Sequence, residues 1–322
     1  MKHIMVDITS RCNFRCKHCY KHLNQASEDI SPEALIYFLR TNDGFLQTKM
    51  ITLTGGETLL YPCLEELLDE LGKYKVRLNT NGYYLDKYVP LLTKYPNVDI
   101  AVSLDGYDEK SYETIRNSDS FNLITSNILK ANQAGLKVHI HAVATTATIG
   151  QWKRFIDCGE KLGVSIMIRP MIYTGEERQK ALALGYSQMK AWMDEVRKDG
   201  LECYTGGHDV LIEQSCSLVR GHLPGTLVID QKGNMYPCPF LRYDRFFLGR
   251  IESFEEANFL HACTQVTNML RDALSQVTCV ECGYRNRFGD GTCLQSCCFS
   301  RKYCLRELVE TGIITCQHLE EN

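Results

Sequence analysis

The chain has 322 residues, of which 44% are hydrophobic and 23% are charged, and its formal net charge is -3. This length and composition are typical of a globular protein with one large α/β domain and a smaller second unit. The charge argues against a nucleic-acid-binding protein, which needs a basic face, and no signal peptide or long apolar segment is present, so we expect a cytoplasmic protein outside the membrane.

Short apolar runs alternate with amphipathic runs over roughly the first 200 residues. Ser31 followed by Pro32 is a typical helix start, and Leu64, Leu67, Leu68 and Leu71 form one helical stripe. The predicted strands are residues 6–9, 50–54, 75–78, 98–102, 138–143 and 166–169. Strands that alternate with helices predict an α/β fold, a partial (β/α)6 TIM-like barrel over residues 1–205, with its functional residues at the carboxyl ends of the strands.

The second part of the sequence, residues 206–322, is predicted to be a small, loop-rich domain. Eleven of the 16 cysteines lie from Cys203 onward. A reducing cytosol disfavours disulfides, so metal or cluster ligation is the better explanation for so many thiols. Four isolated cysteines are instead expected to be buried apolar residues: Cys63, Cys158, Cys203 and Cys263.

A loop after the first strand carries three cysteines at short spacing. Cys12, Cys16 and Cys19 form a Cys-x3-Cys-x2-Cys motif. Such a loop can place three thiolates around one iron–sulfur cube and leave one iron open to a small molecule. A zinc ion with His18 or His22 as its fourth ligand is the alternative interpretation.

This motif resembles the signature of radical S-adenosylmethionine (SAM) enzymes. The resemblance implies that the three cysteines hold a 4Fe–4S cluster whose open iron binds SAM. It also implies reductive cleavage of SAM to a 5′-deoxyadenosyl radical, which abstracts a hydrogen atom from the substrate. An external electron donor of the flavodoxin or ferredoxin kind and sensitivity to oxygen follow from the same resemblance.

Further segments follow strands in the order of this family. Gly55, Gly56 and Glu57 resemble the family's GGE motif, and Arg116 resembles the arginine that pairs with the SAM carboxylate. The resemblance implies a set of cofactor-binding residues: Gly55, Gly56, Glu57, Asn81, Ser103, Asp105, Arg116 and Tyr20.

The C-terminal cysteines resemble the SPASM extension of peptide-modifying radical SAM enzymes, which holds two auxiliary 4Fe–4S clusters. The Gly233-x4-Cys238 hairpin fits this pattern, whereas Phe288 stands where the next motif would place a cysteine. The implied auxiliary ligands are Cys216, Cys238, Cys279, Cys282, Cys293, Cys297 and Cys316.

The assignment of these ligands stays open between two schemes, and structural zinc at the Cys-x2-Cys pair is a third interpretation. The first scheme gives the inner cluster Cys216, Cys238 and Cys297. It gives the outer cluster Cys279, Cys282, Cys293 and Cys316. The second scheme moves Cys293 to the inner cluster and fills the outer one from Cys297, Cys298 and Cys304.

The resemblance further implies a ribosomally made peptide as substrate and either epimerisation or a thioether or carbon–carbon crosslink as the reaction. Epimerisation would need a hydrogen donor; the candidates are Cys298 and Cys304, together with Cys263, Cys203 and Cys158. Only eleven residues precede Cys12, so we expect no leader-binding domain there and a separate leader-binding protein is a candidate partner.

Two other functions compete with this interpretation. An anaerobic sulfatase maturase would oxidise cysteine or serine to formylglycine, but that family has an aspartate after the hairpin cysteine, where this chain has Pro239. A non-catalytic iron–sulfur or zinc protein would not need the Gly-Gly-Glu segment or Arg116.

Overall fold

The computed structural model describes residues 1, 3–19, 21, 27–171, 177–184, 222–239 and 241–275, with the single positions 188, 191, 192, 195, 198 and 218. Nine strands within these residues form one sheet in the order β6-β5-β4-β3-β2-β1-β7-β8-β9. The strands are β1 (His3–Thr9), β2 (Met50–Gly55), β3 (Lys75–Thr80), β4 (Val98–Ser103), β5 (Lys137–Ala144), β6 (Ser165–Pro170), β7 (Thr226–Ile229), β8 (Asn234–Tyr236) and β9 (Gly249–Arg250). The helices are α1 (Pro32–Thr41), α2 (Asp43–Leu46), α3 (Leu64–Glu70), α4 (Leu85–Leu92), α5 (Glu109–Arg116), α6 (Phe121–Gln133), α7 (Trp152–Leu162), α8 (Glu177–Lys180) and α9 (Glu256–Ser275).

The first six strands pair in parallel with their neighbours in sequence, and helices connect them. This arrangement confirms the predicted α/β partial barrel. All six predicted strands are present, although β1 begins three residues earlier than expected. Because the strands are parallel, their carboxyl ends meet at one rim of the sheet, which positions the loops that follow them together.

The hairpin predicted near Gly233 is also confirmed. β7 and β8 pair in antiparallel fashion on either side of the turn at residues 231–233. In addition, β7 pairs in parallel with β1, so the sheet continues past residue 205. The division of the chain into 1–205 and 206–322 stays a prediction, and residues 276–322 lie outside the described part.

One face of the sheet is apolar and packs against the helices. Ile4, Ile51, Val76 and Val98 occupy one hydrogen-bonded row across β1 to β4 and are at most 4% exposed. Each such side chain contributes about 1.5–3 kcal/mol on burial. This face therefore supplies the hydrophobic core.

The opposite face, here called the inner face, carries alternate residues of the same strands and is largely polar. In a partial barrel this face encloses the interior, so its side chains are the ones that a bound molecule can reach. The inner-face residues include His3, Asp7, Thr9, Thr52, Thr54, Arg77, Asn79, Asp99, Ser103, His139, His141 and Arg169.

Local signals explain the helices that cover the outer face. The Ser31 hydroxyl accepts a hydrogen bond from the Ala34 N–H at 3.0 Å, and Pro32 is the first helical residue of α1, as the sequence predicts. The leucine stripe of α3 is buried. Among the described residues, no helix combines the length and the apolar character that crossing a membrane requires.

Candidate functional site

The loop that follows β1 carries Cys12, Cys16 and Cys19. Cys16 is 7% exposed, and the other two thiols are half-buried. The Phe14 N–H donates to Sγ of Cys12 at 3.4 Å, and the Cys19 N–H donates to the Cys16 carbonyl at 3.2 Å. Cys16 belongs to the hydrophobic core, and Cys12 and Cys19 pack against that core. The loop therefore holds all three cysteines at the end of β1.

The end of β2 holds this loop through backbone contacts. The Gly56 N–H donates to the Thr9 carbonyl at 2.8 Å, and the Glu57 N–H donates to the Arg11 carbonyl at 2.7 Å. A Cβ atom on Gly56 would lie 2.1 Å from the Arg11 carbonyl oxygen. Glycine is therefore required where two backbone segments nearly touch.

Glu57, predicted to bind the amino group of SAM, is completely buried. One carboxylate oxygen accepts from the Leu59 N–H at 3.0 Å and the Thr80 hydroxyl at 2.5 Å, and the other accepts from the Asn81 N–H at 2.6 Å. Burial raises the pKa of Glu57, and the three hydrogen bonds oppose that rise. The carboxylate joins the end of β2 to the end of β3, and its contact with SAM stays a prediction.

Replacing Glu57 by alanine is expected to lower the free energy of unfolding by about 3 kcal/mol, because three buried donors lose their acceptor. Chemical denaturation followed by circular dichroism measures the change. Glu160 is exposed on α7, so Glu160→Ala is the matched control and should change little. Equal stabilities of the two variants would contradict this role for Glu57.

A second set of contacts joins the end of β4 to the cysteine loop. Asp105 pairs with Arg116, with Oδ2 and Nε 2.5 Å apart in an ion pair rather than a well-aligned hydrogen bond. Nη1 of Arg116 donates to Sγ of Cys16 at 3.6 Å, and Oδ1 of Asp105 accepts from the Val143 N–H at 2.9 Å. Arg116 therefore reaches the cysteine loop, while its predicted contact with the SAM carboxylate stays a prediction.

The other predicted cofactor residues lie at the same rim. Nδ2 of Asn81 donates to Oδ1 of Asn13 at 2.8 Å, which links the segment after β3 to the cysteine loop. Ser103 ends β4 and is half-exposed. The structure thus gathers seven of the eight predicted cofactor residues, and the eighth, Tyr20, lies outside the described residues.

Sequence reasoning missed Gln179 and considered His18 only as a zinc ligand, whereas both hold the cysteine loop. Nε2 of His18 lies 3.3 Å from Oδ2 of Asp105. Gln179 of α8 is fully buried, and its Nε2 donates to the carbonyls of His18 at 3.0 Å and of Cys19 at 3.1 Å. A single glutamine 160 residues away along the chain carries no sequence signal that could reveal this contact.

A buried carboxylate on the inner face was also missed. Asp7 is 2% exposed and pairs with Lys21 at 2.7 Å and with Arg242. Burial alone would raise the pKa of Asp7, but the two cations bring it below its ordinary value. Asp7 therefore connects the segment after Cys19 to the loop after the hairpin.

Most of the predicted auxiliary ligands lie outside the described residues, and their assignment stays a prediction. These are Cys216, Cys279, Cys282, Cys293, Cys297 and Cys316, and the hydrogen-donor candidates Cys298, Cys304 and Cys203 lie outside as well. Cys238 is described, follows β8 and is half-buried. Cys263 is buried, as expected of an apolar residue, whereas Cys63 and Cys158 are only half-buried.

Histidines form part of the inner face. The rings of His139 and His141 stack with centroids 6.1 Å apart and planes at 21°. Burial, with help from Arg77 and other charges, lowers the pKa of His141 to about 3 and also lowers that of His139. Both rings are therefore neutral near neutral pH.

Mild acid is expected to destabilise the fold through His141. The unfolded chain binds a proton near the ordinary pKa of 6.5, whereas the folded chain binds it only near about 3. Stability is therefore lost as the pH falls below 6.5, by about 2 kcal/mol between about pH 7 and pH 5 for this group. Denaturation at both pH values should show this loss reduced in His141→Gln and retained in His261→Gln. A full loss in His141→Gln would contradict the prediction.

The donor set of the cysteine loop suits an iron–sulfur cube. Among the described residues, no three histidine, cysteine or carboxylate side chains lie close enough to ligate one metal ion. The cysteines of a cube bind different irons and stand farther apart than the ligands of a single zinc ion. The N–H donors at Cys12 and Cys16 are of the kind that tune cluster thiolates. These hydrogen bonds fit thiolates that hold a cluster, which stays the prediction for this loop.

Comparison with known proteins agrees with this geometry. Residues 6–158, from β1 into α7, match the model of the Radical SAM superfamily. The match covers just under half of the chain and includes the cysteine loop and the ends of β2, β3 and β4. Enzymes of this superfamily use a 4Fe–4S cluster and SAM, which is the pair that the cysteine loop and its rim predict.

The chain has relatives of more than one activity. It is 24% identical over 293 residues to mycofactocin maturase MftC of Mycobacterium ulcerans (strain Agy99), covering 86% of this chain and 79% of the relative. It is 33% identical over 151 residues to GTP 3′,8-cyclase of Nautilia profundicola, covering 44% of this chain and 46% of the relative. The match to the maturase is the longer of the two.

The fold is also found in solved structures. Native anSMEcpe with bound AdoMet and Cp18Cys peptide superposes with a TM-score of 0.69 at 15% identity, covering 97% of this chain and 95% of that chain. At this identity the similarity establishes a shared fold. It extends beyond the radical SAM domain to nearly the whole length of both chains.

Proposed function

We propose that this protein is a radical SAM enzyme that modifies a ribosomally made peptide. The observation that carries the proposal is the cysteine loop, whose three thiols lie at the rim formed by the ends of β2, β3 and β4. The maturase match over 86% of the chain and the shared fold with a structure that holds AdoMet and a peptide support a peptide substrate. The match to GTP 3′,8-cyclase covers only 44% of the chain and says little about the substrate.

Cys12, Cys16 and Cys19 hold the 4Fe–4S cluster in this proposal. When bound, the cluster and SAM supply a 5′-deoxyadenosyl radical that removes a hydrogen atom from the substrate. Arg116 donates to the Cys16 sulfur and favours its thiolate, while Asp105 orients the guanidinium. The rim residues, including Gly55, Gly56, Asn81 and Ser103, hold SAM, and the inner face shields the reaction from water.

The fate of the substrate radical depends on the C-terminal region. Epimerisation would use a cysteine hydrogen donor, for which Cys298 and Cys304 are the candidates. A thioether or carbon–carbon crosslink would use an electron acceptor, a role that auxiliary clusters on the C-terminal cysteines can fill. A flavodoxin- or ferredoxin-like donor and a separate leader-binding protein complete the proposed system.

Formylglycine formation is the less favoured reaction. That oxidation needs a base beside the hairpin cysteine, and the position directly after Cys238 is Pro239. A proline side chain has no ionisable group, so it cannot accept a proton there. The residue at this position therefore favours another peptide modification.

The test uses anaerobically reconstituted protein, a chemical reductant, SAM and short peptides encoded beside the gene. We expect 5′-deoxyadenosine in every reaction and, with the true substrate in heavy water, a modified peptide. One incorporated deuterium indicates epimerisation, and the loss of two hydrogens indicates a crosslink. SAM cleavage without change in any peptide, but with conversion of GTP, would overturn the proposal.

A further inference from the structure

A cluster of basic side chains lies on the inner face of β3, β5 and β6. Arg77 on β3 and Asp99 on β4 are register partners, and Asp99 is in turn the register partner of Lys137 on β5. His139 and His141 follow on β5, and Arg169 pairs in register with the next inner-face residue, Val143. Arg77, His139, His141 and Arg169 are called the inner basic cluster. Arg77 precedes the rim residue Asn81 by four positions, so the cluster extends deeper into the interior than the rim.

The members of this cluster share one space. Arg77 lowers the pKa of His139, His141 and Arg169, which requires their charged groups to be near it. Arg169 is exposed, and all four residues of the cluster alternate with the buried outer-face residues of their strands. The cluster therefore lies on the inner face of the partial barrel.

Neither guanidinium is neutralised in the part of the chain that the structure describes. No carboxylate lies within ion-pair distance of Arg77 or Arg169 there; Asp99 approaches Lys75 at 3.8 Å instead. Nε of Arg169 approaches only Sδ of Met167, at 3.2 Å, and a thioether is a weak acceptor. Asp99 stands beside Arg77 but forms no ion pair with either arginine, so a bound anion would reduce the repulsion between the two guanidinium groups.

Polar atoms beside these charges also lack hydrogen-bond partners. Nε of Arg77 and Nε2 of His139 are buried and unbonded, and so is Oδ1 of the neighbouring Asn79. Buried polar atoms without partners are rare in proteins, and several in one place call for a ligand or water. A guanidinium donates and a neutral imidazole can donate, so an oxygen anion would satisfy Arg77 and His139, whereas Oδ1 of Asn79 is an acceptor and needs a donor such as water.

We propose that the inner basic cluster binds a carboxylate of the peptide substrate, either an acidic side chain or the C-terminal carboxylate. This inference rests on the proposed peptide-modifying function. Guanidinium groups match the two oxygens of a carboxylate, and the neutral histidines add donors without adding positive charge. A carboxylate held there would fix the position of the substrate relative to SAM at the rim.

The test measures binding of three small amide compounds to the full-length, reconstituted protein by NMR of labelled histidine rings. N-acetylglutamate α-amide carries a side-chain carboxylate, N-acetylglutamine carries a C-terminal carboxylate, and N-acetylglutamine amide is neutral. We expect one or both acids to shift the His139 and His141 signals and the neutral amide to leave them unchanged. The acid that binds more tightly identifies the source of the carboxylate.

Variants then locate the interaction. Arg77→Gln and Arg169→Gln should each weaken binding of the acid about tenfold or more, and Arg77→Lys should restore part of it. Arg250 is an exposed arginine on β9 that pairs with Glu252, so Arg250→Gln is the matched control and should bind normally.

Three outcomes would overturn the inference: equal shifts with the neutral amide, unchanged binding in both glutamine variants, or displacement of the acid by SAM. Displacement would mean that the anion of this cluster is the carboxylate of SAM itself. Formation of 5′-deoxyadenosine by the same preparation is measured separately. If no 5′-deoxyadenosine forms, the result contradicts the proposed function. If 5′-deoxyadenosine forms but neither acid binds, the result contradicts only the inference about the inner basic cluster.

Discussion

Replacing Cys12, Cys16 and Cys19 together by alanine is expected to remove about four irons per chain and to abolish SAM cleavage. The three cysteines lie in one loop and contact the same hydrophobic core, and they are the proposed ligands of the SAM cluster. The remaining clusters, if the C-terminal prediction holds, stay bound. The iron content and the sulfide content should therefore each fall from about twelve to about eight atoms per chain.

A cysteine outside the loop provides the control. Cys63 is half-buried directly before α3, and Cys63→Ala should keep both the iron content and SAM cleavage. In the triple variant, a fall from about eight to about four irons per chain would indicate a single auxiliary cluster. Zinc in place of iron, unchanged in the triple variant, would contradict the cluster assignment.

Among single glycine-to-alanine replacements at the site, Gly56→Ala is expected to lower the free energy of unfolding the most. Its Cβ would meet the Arg11 carbonyl oxygen at 2.1 Å, and a backbone atom cannot move aside as a side chain can. The two hydrogen bonds that tie β2 to the cysteine loop would break or stretch. We expect a loss of about 3 kcal/mol in the free energy of unfolding, the upper end for overpacking.

The same variant should also lose iron from the SAM cluster, because the displaced segment leads directly into Cys12. Gly44 in α2 has no atom within 4 Å of its Cβ position, so Gly44→Ala is the matched control. That variant should be neutral or slightly stabilising, since alanine favours a helix. If Gly56→Ala and Gly44→Ala have the same free energy of unfolding and the same iron content, the close contact at Gly56 does not require glycine.

Local patterns predicted much of the fold and of the site. Short apolar runs indicated the six strands, and the Ser31–Pro32 pair indicated the start of α1, because these signals act between near neighbours. The cysteine loop and the Gly-Gly-Glu segment were found for the same reason. The residues of each motif lie within a few positions of one another, so the sequence shows them directly. The role of Glu57 as a buried link between two strands was not predicted.

Contacts between distant parts of the chain escaped prediction. Asp7 meets Arg242 across 235 positions, and Gln179 meets the cysteine loop across about 160. Such pairs depend on the path of the whole chain, and a single charged or amide side chain has many alternative partners in the sequence. The pairing of β7 with β1 was also not predicted, because the sequence of a short apolar strand does not show which other strand it pairs with.

The sequence by itself determined the order of strands and helices, the partial barrel and the short spacing of the three cysteines, which resembles that of radical SAM enzymes. These features follow from periodicity and spacing, which are properties of adjacent residues. Only the tertiary structure decided that Arg116 reaches Cys16, that Asp7 joins two loops, and that Arg77 and Arg169 share the interior. Those outcomes depend on sheet register and closure, which bring residues far apart in the chain onto one face.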